Sequence, residues 1–125
     1  VPMVVTGSFV VELIPQIDED TPAGRMLLSK KYKGGMQGSG IGQMISKRTE
    51  SGASYYAIEE FQGSLEGLTG GFTLSHEGVM SKEESSLRIT ILRGSGTGEL
   101  ANISGSLQIE QNGDTHNYEL IYDLR

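Results

Sequence analysis

The sequence predicts an all-β protein, an eight-stranded antiparallel up-and-down β-barrel, with a two-sheet β-sandwich as the alternative. Three observations carry the prediction. Apolar residues recur at every second position along almost the whole chain, as in Phe9, Val11 and Leu13 or Leu87, Ile89 and Ile91, the pattern of a strand with one buried face. No segment sustains the 3.6-residue period of an amphipathic helix. Turn signals recur at short spacing, and about eight sequential strands close most simply on themselves, which removes both sheet edges. At 125 residues the chain makes one domain, residues 1–125.

The first strand is expected over residues 3–14, with Gly7, Phe9, Val11 and Leu13 on one face. Residues 15–24, P-Q-I-D-E-D-T-P-A-G, form an acidic loop bounded by prolines. The second strand, residues 26–33, ends at the tight-turn pair Gly34-Gly35. The third, residues 36–47, carries Gly38, Gly40 and Gly42 on one face and Ile41, Gln43 and Ile45 on the other. A polar turn leads to the fourth strand, residues 54–65, and Glu66-Gly67 turns the chain into the fifth, residues 70–79. The charged turn S-K-E-E-S precedes the sixth strand, residues 86–93.

After it comes G-S-G-T-G-E-L, residues 94–100, where three glycines disfavour a regular strand or helix but permit positive φ. Gly96 or Gly98 is expected there, and residues 99–103 could make a single helical turn. The seventh strand is residues 105–111. Asn112-Gly113, the strongest hairpin signal in the chain, joins it to the eighth, residues 115–124.

Three stretches occur in this order: F-x-L-x-H-x-G (Phe72, Leu74, His76, Gly78), G-S-G-T-G-E-L, and Y-x-L-x-Y-x-L (Tyr118, Leu120, Tyr122, Leu124). Together they resemble a bacterial domain family of unknown function grouped with the allene-oxide-cyclase-like barrels. The glycine corner is also similar to that of dirigent-type barrels. The resemblance covers most of the chain and implies an eight-stranded barrel around a small cavity. It implies no activity, because the bacterial family has none assigned and the plant cyclase's catalytic pattern does not map onto numbered positions here.

Charge narrows the partners. Ten basic against sixteen acidic residues give a net charge of −6, and no basic cluster exceeds Lys30–Lys31 or Lys47–Arg48. Nucleic acid is therefore excluded as a partner, and an anionic membrane surface is disfavoured. No apolar run approaches the ~20 residues of a membrane span. The start, V-P-M-V-V-T-G, lacks a signal-peptide pattern, and the absence of cysteine fits a reducing compartment. A cytoplasmic protein is expected.

No cofactor or metal is expected either. G-x-G-x-G at 38–42 and 94–98 lacks the helix and βαβ setting of a dinucleotide site. His76 and His116 match no zinc-ligand spacing, Asp18, Glu19 and Asp20 lack a calcium loop's alternation, and no G-x-S-x-G is present.

Parity nominates the interior. Phe9, Phe61, Phe72, Leu74, Ile89, Leu107 and Leu120 should be buried, and Lys31, Glu77, Gln108, Glu110 and Glu119 should face solvent. Glu59 and His76 also point inward, opposite one another or diagonal by two residues, and within reach in either register. An inward Glu and His on an apolar wall need partners or a wet cavity. They read as ligand anchors or as a general base and acid, against a structural reading in which a hydrogen-bonded pair simply completes the wall. Tyr55, Tyr118 and Tyr122 share inward faces, and one or more of them is expected to converge on the same region. Lys30 shares a face with Tyr32, but a lysine near a strand end is expected to be solvated.

The resulting expectation is a barrel holding a small, largely apolar ligand in its interior. The alternatives are an isomerase- or cyclase-like enzyme using that cavity, and a scaffold or homo-oligomeric domain with a filled interior.

Overall fold

The computed structural model describes residues 2–125, and helix is absent among them. The strands are β1 (Met3–Pro15), β2 (Gly24–Gly34), β3 (Met36–Arg48), β4 (Gly52–Leu65), β5 (Leu68–Ser81), β6 (Ser85–Ile91), β7 (Thr97–Gly98), β8 (Ser104–Asn112) and β9 (Thr115–Asp123). Eight of them run in the order β4-β3-β2-β1-β9-β8-β6-β5, every pair antiparallel, and β4 pairs with β5 to close the barrel. That closure decides against the sandwich.

The two-residue strand β7 was not expected. It pairs only with β5, Gly70 opposite Gly98 and Gly71 opposite Thr97, and so folds the glycine corner back over the barrel wall. Side chains stitch it down: Ser95 Oγ accepts from Thr73 N at 3.0 Å, Thr97 Oγ1 from Gly71 N at 3.1 Å, and Glu99 Oε1 from Thr69 N at 3.1 Å. Gly98 has a φ of 61° and Gly94 of 82°, as a sharp corner requires, whereas Gly96 is not left-handed.

The two ends of the barrel differ. At one end Met36, Leu65, Leu100 and Ile103 are buried and plug the opening. Leu100 and Ile103 reach it because the corner bends inward after β7, which puts two apolar residues of an irregular segment into the core. At the other end, where β1–β2, β3–β4, β5–β6 and β8–β9 are joined, the inward positions lose their cover. Leu13, Met80 and Leu87 are 49, 48 and 42% exposed although their parity points them inward. We call this end the mouth.

Every residue expected in the core is buried. Of the five expected outside, Lys31, Glu77, Gln108 and Glu110 are exposed, while Glu119 is half-buried on the outer wall. No helix of the described residues is long and apolar enough to cross a membrane.

Candidate functional site

Between the packed half and the mouth sits a cluster of ionisable groups. The glycine stripe of β3 makes it possible. Gly42 pairs with Glu59 on one side and Leu28 on the other, and Gly40 pairs with Phe61 and Lys30. With no inward side chains on this part of β3, groups from β2 and β4 meet across it. A Cβ added at Gly40 would collide with the Glu59 carboxylate and the Tyr32 ring.

Glu59 has no exposed side-chain surface, and the Lys30 and His76 side chains keep only 6 and 8%. Lys30 Nζ donates to Glu59 Oε1 at 3.0 Å, and His76 Nε2 lies 2.9 Å from the same oxygen. The Tyr32 hydroxyl donates to Oε2. Glu59 and His76 are not directly opposite. Glu59 pairs with Leu74 and His76 with Ala57, so they meet on the diagonal, within the reach of long side chains.

Lys30 Nζ also stands 4.7 Å from the centre of the Phe9 ring, which stacks on half-buried His116 at 5.2 Å. A cation over a ring face gains from the quadrupole, more so when desolvated. No buried side-chain nitrogen or oxygen among the described residues is without a hydrogen-bond partner. The cluster therefore meets the condition under which buried charge is tolerated.

Electrostatics fixes the charge state. Burial alone would push the Glu59 carboxyl up, but the hydrogen bond from His76, the charge of Lys30 and the Tyr32 hydroxyl outweigh it and hold Glu59 below the usual carboxylate range. Burial, and then the neighbouring Glu59 charge, push the Tyr32 hydroxyl well above its ordinary value, so it stays a donor. The arrangement is a carboxylate anchored by three donors.

Two of these members run against the sequence reading. Lys30 is buried, not solvated, because the bare glycine wall gives its ammonium a partner two strands away. Tyr32 supplies the hydroxyl expected from Tyr55, Tyr118 or Tyr122, none of which joins the cluster.

Tyr118 points its hydroxyl at the backbone of the β2–β3 turn, accepting from Met36 N and donating to Lys33 O, both at 2.8 Å. Tyr122 donates to Glu66 Oε1 at 2.9 Å near the β4–β5 turn, and burial followed by the Glu66 contact pushes its hydroxyl up to about 12. Tyr55 is half-buried, its ring lying over Gly78, where a Cβ would overlap it. Parity pointed all three inward correctly but could not say to which end of the barrel each reaches.

Hollows of appreciable size lie on the outer wall. One of about 670 Å³ runs across β8, β9 and β1, lined by Thr6, Ser8, Gln108 and Asn117 among others. The ionisable cluster does not open into it. The closed half of the interior is filled by the core side chains, while at the mouth the inward Leu13, Met80 and Leu87 are exposed and Met26 and Met44 half-buried.

Comparison with known proteins agrees with the geometry. A family described as protein of unknown function (DUF3224) matches residues 5–122. The crystal structure of a protein of unknown function from the DUF3224 family of Shewanella oneidensis MR-1 has a TM-score of 0.93 at 32% sequence identity, covering 99% of this chain and 98% of that one. No curated protein matches the chain.

Proposed function

The chain belongs to the DUF3224 family of proteins of unknown function, and we propose that it is a small-molecule-binding barrel whose ligand seats in the mouth. The ligand's apolar body lies against Leu13, Met26, Met44 and Leu87, and its polar group meets Lys30 and His76. A reducing compartment, the cytoplasm, suits a chain without cysteine.

The observation that carries this reading is where the charged cluster sits. Buried ion pairs seldom stabilise a fold better than well-packed apolar side chains do. Here one is placed a single layer below the mouth, under the still-buried Leu28, Ala57 and Gly78, with Lys30 and His76 keeping a little surface and Glu59 none. That is the layout of polar anchors held by a carboxylate beneath them, in a site otherwise apolar.

Binding is favoured over proton transfer on the chemistry of Glu59. A carboxylate held below its usual range by three donors is a weak base, so an isomerase or cyclase reading would need another group to take the proton.

Native mass spectrometry of protein purified from its own host tests the reading. A co-purifying small molecule should be retained by the parent, reduced in His76→Ala and Glu59→Gln, and unaffected in Tyr122→Phe at the closed end. Loss of melting temperature in the two cluster variants, with no ligand in any preparation, would instead make the cluster purely structural.

A further inference from the structure

Glu59 decides which nitrogen of His76 is left over. An ionised carboxylate accepts hydrogen bonds and cannot donate them, so the 2.9 Å contact with Nε2 puts a proton on that nitrogen. In the neutral ring Nδ1 is then a bare acceptor. It finds no partner among the described residues, where the bond at Nε2 is the one the imidazole makes. No side-chain nitrogen or oxygen cut off from solvent is unpartnered among them either. The 8% of surface that the His76 side chain keeps therefore includes Nδ1. A side chain more than nine-tenths buried thus presents one unmet lone pair.

The barrel wall is least closed beside this level. β6 and β8 pair only as Ile89 with Leu107 and Thr90 with Ser106, whereas every other seam of the barrel holds seven pairs or more. Ile89 faces His76 from β6. One inward position nearer the mouth, Leu87 faces Gly78, is 42% exposed and pairs with no residue of β8.

Lys30 sets the second condition. An ammonium has three N–H groups, and the one hydrogen bond that Nζ makes goes to the Glu59 oxygen that Nε2 also meets. Glu59 itself has no surface, so an incoming polar group meets the ammonium and the imidazole and not the carboxylate. A carboxylate or an ether would set lone pairs against the lone pair of Nδ1, and a second ammonium would be repelled by Lys30. A hydroxyl suits both, because it donates through O–H and accepts through oxygen. Covering Nδ1 with a group that cannot donate leaves it without water and without a partner, which is the costly case.

We infer that the ligand of the mouth carries a neutral hydroxyl at its polar end, and that His76 selects it by accepting a hydrogen bond from that hydroxyl at Nδ1 while Lys30 donates to its oxygen. The inference rests on the ligand-binding reading proposed above and adds the chemical class of the ligand.

Nitrogen-15 NMR of the histidine rings, together with a matched series of probes, separates the two. The chain has two histidines, and His116→Gln assigns their signals. At about pH 8, above the range in which imidazoles ordinarily titrate, His76 should carry its proton on Nε2. 1-Octanol and benzyl alcohol should move the Nδ1 resonance toward its protonated position. They should also bind at least about tenfold more tightly than their methyl ethers and than octanoate and benzoate. A proton on Nδ1 in the free protein overturns the inference, whatever binds. Ethers or carboxylates that bind as well as the alcohols, or alcohols that bind without moving Nδ1, overturn it and leave a ligand-binding mouth in place. Binding by none of these compounds overturns it together with the reading on which it rests.

Discussion

Glu59 is the residue on which the cluster turns, and its consequences can be read against pH. Its folded-state carboxyl is held below the ordinary value by His76, Lys30 and Tyr32 against the cost of burial. A depressed folded pKa contributes stability that is fully present above the unfolded value, near 4.3, and is lost as pH falls through the folded value. Melting temperature should therefore drop on acidification below about pH 4.5, and Glu59→Gln should flatten that drop while lowering stability at neutral pH. Asp18, also depressed through Arg25, contributes to the acid limb in both proteins, so the difference between the curves isolates Glu59. Superimposable acid limbs would mean that the carboxylate is not held as its geometry implies.

Lys30 provides the complementary test. Lys30→Met leaves a buried carboxylate short of its cationic partner, which costs about 3–5 kcal/mol. Adding Glu59→Leu should recover most of that loss by removing the stranded charge. Urea denaturation of the three proteins checks it, and a double variant no better than the single would show that the charge pair is not what Lys30→Met disturbs.

Lys30 also marks where sequence reading stops. Its parity, shared with Tyr32, was visible, but the partner that makes an inward lysine tolerable lies two strands away. Finding it requires both the register and the knowledge that β3 is bare between them. Glu59 and His76 were legible because they lie on consecutive strands of one hairpin, where a small register error still leaves them in reach.

At the scale of the element, glycine does two different jobs. On β3 it clears space: Gly40 sits under the Glu59 carboxylate and the Tyr32 ring with no room for a methyl group. At the corner it supplies conformation: Gly98 has a φ of 61° and its Cβ position lies 2.7 Å from Thr69 O. Gly98→Val is expected to destabilise by more than ~1 kcal/mol, because a β-branched residue is strained at positive φ. Gly96→Ala, at ordinary φ but against Leu100 O, should also destabilise, through contact and not through strain. Thermal melts of both that overlay the parent would remove the corner from the account of stability.

The corner is also where element prediction was least complete. Three glycines announced a turn, but a two-residue strand held by Ser95, Thr97 and Glu99 side chains has too little periodicity to be read. The plug made by Leu100 and Ile103 follows from that bend and was hidden with it. The long strands were legible because two-residue alternation fixes both their existence and their buried face.

Across the whole molecule the chain is stabilised unevenly along the barrel axis. One end is closed by Met36, Leu65, Leu100 and Ile103, and two tyrosines fasten its turns, Tyr118 to the β2–β3 backbone and Tyr122 to Glu66. The mouth has exposed apolar side chains at inward positions and its charged cluster as a floor. Local opening follows the density of buried contacts, so amide hydrogen exchange should be slowest for the halves of the strands near the plug and should quicken toward the mouth. Gln43 and Ile58, paired next to Gly42 and Glu59, should mark the boundary. Tyr118→Phe removes a buried hydroxyl that serves two backbone groups and should cost about 1–3 kcal/mol, speeding exchange at the closed end most of all. A ligand seated at the mouth would reverse part of the gradient by protecting the ends of β2, β4 and β5 nearest the cluster. Uniform exchange from end to end, in a protein that holds no ligand, would mean that the two ends are equally stable and that the exposed inward residues do not mark an opening.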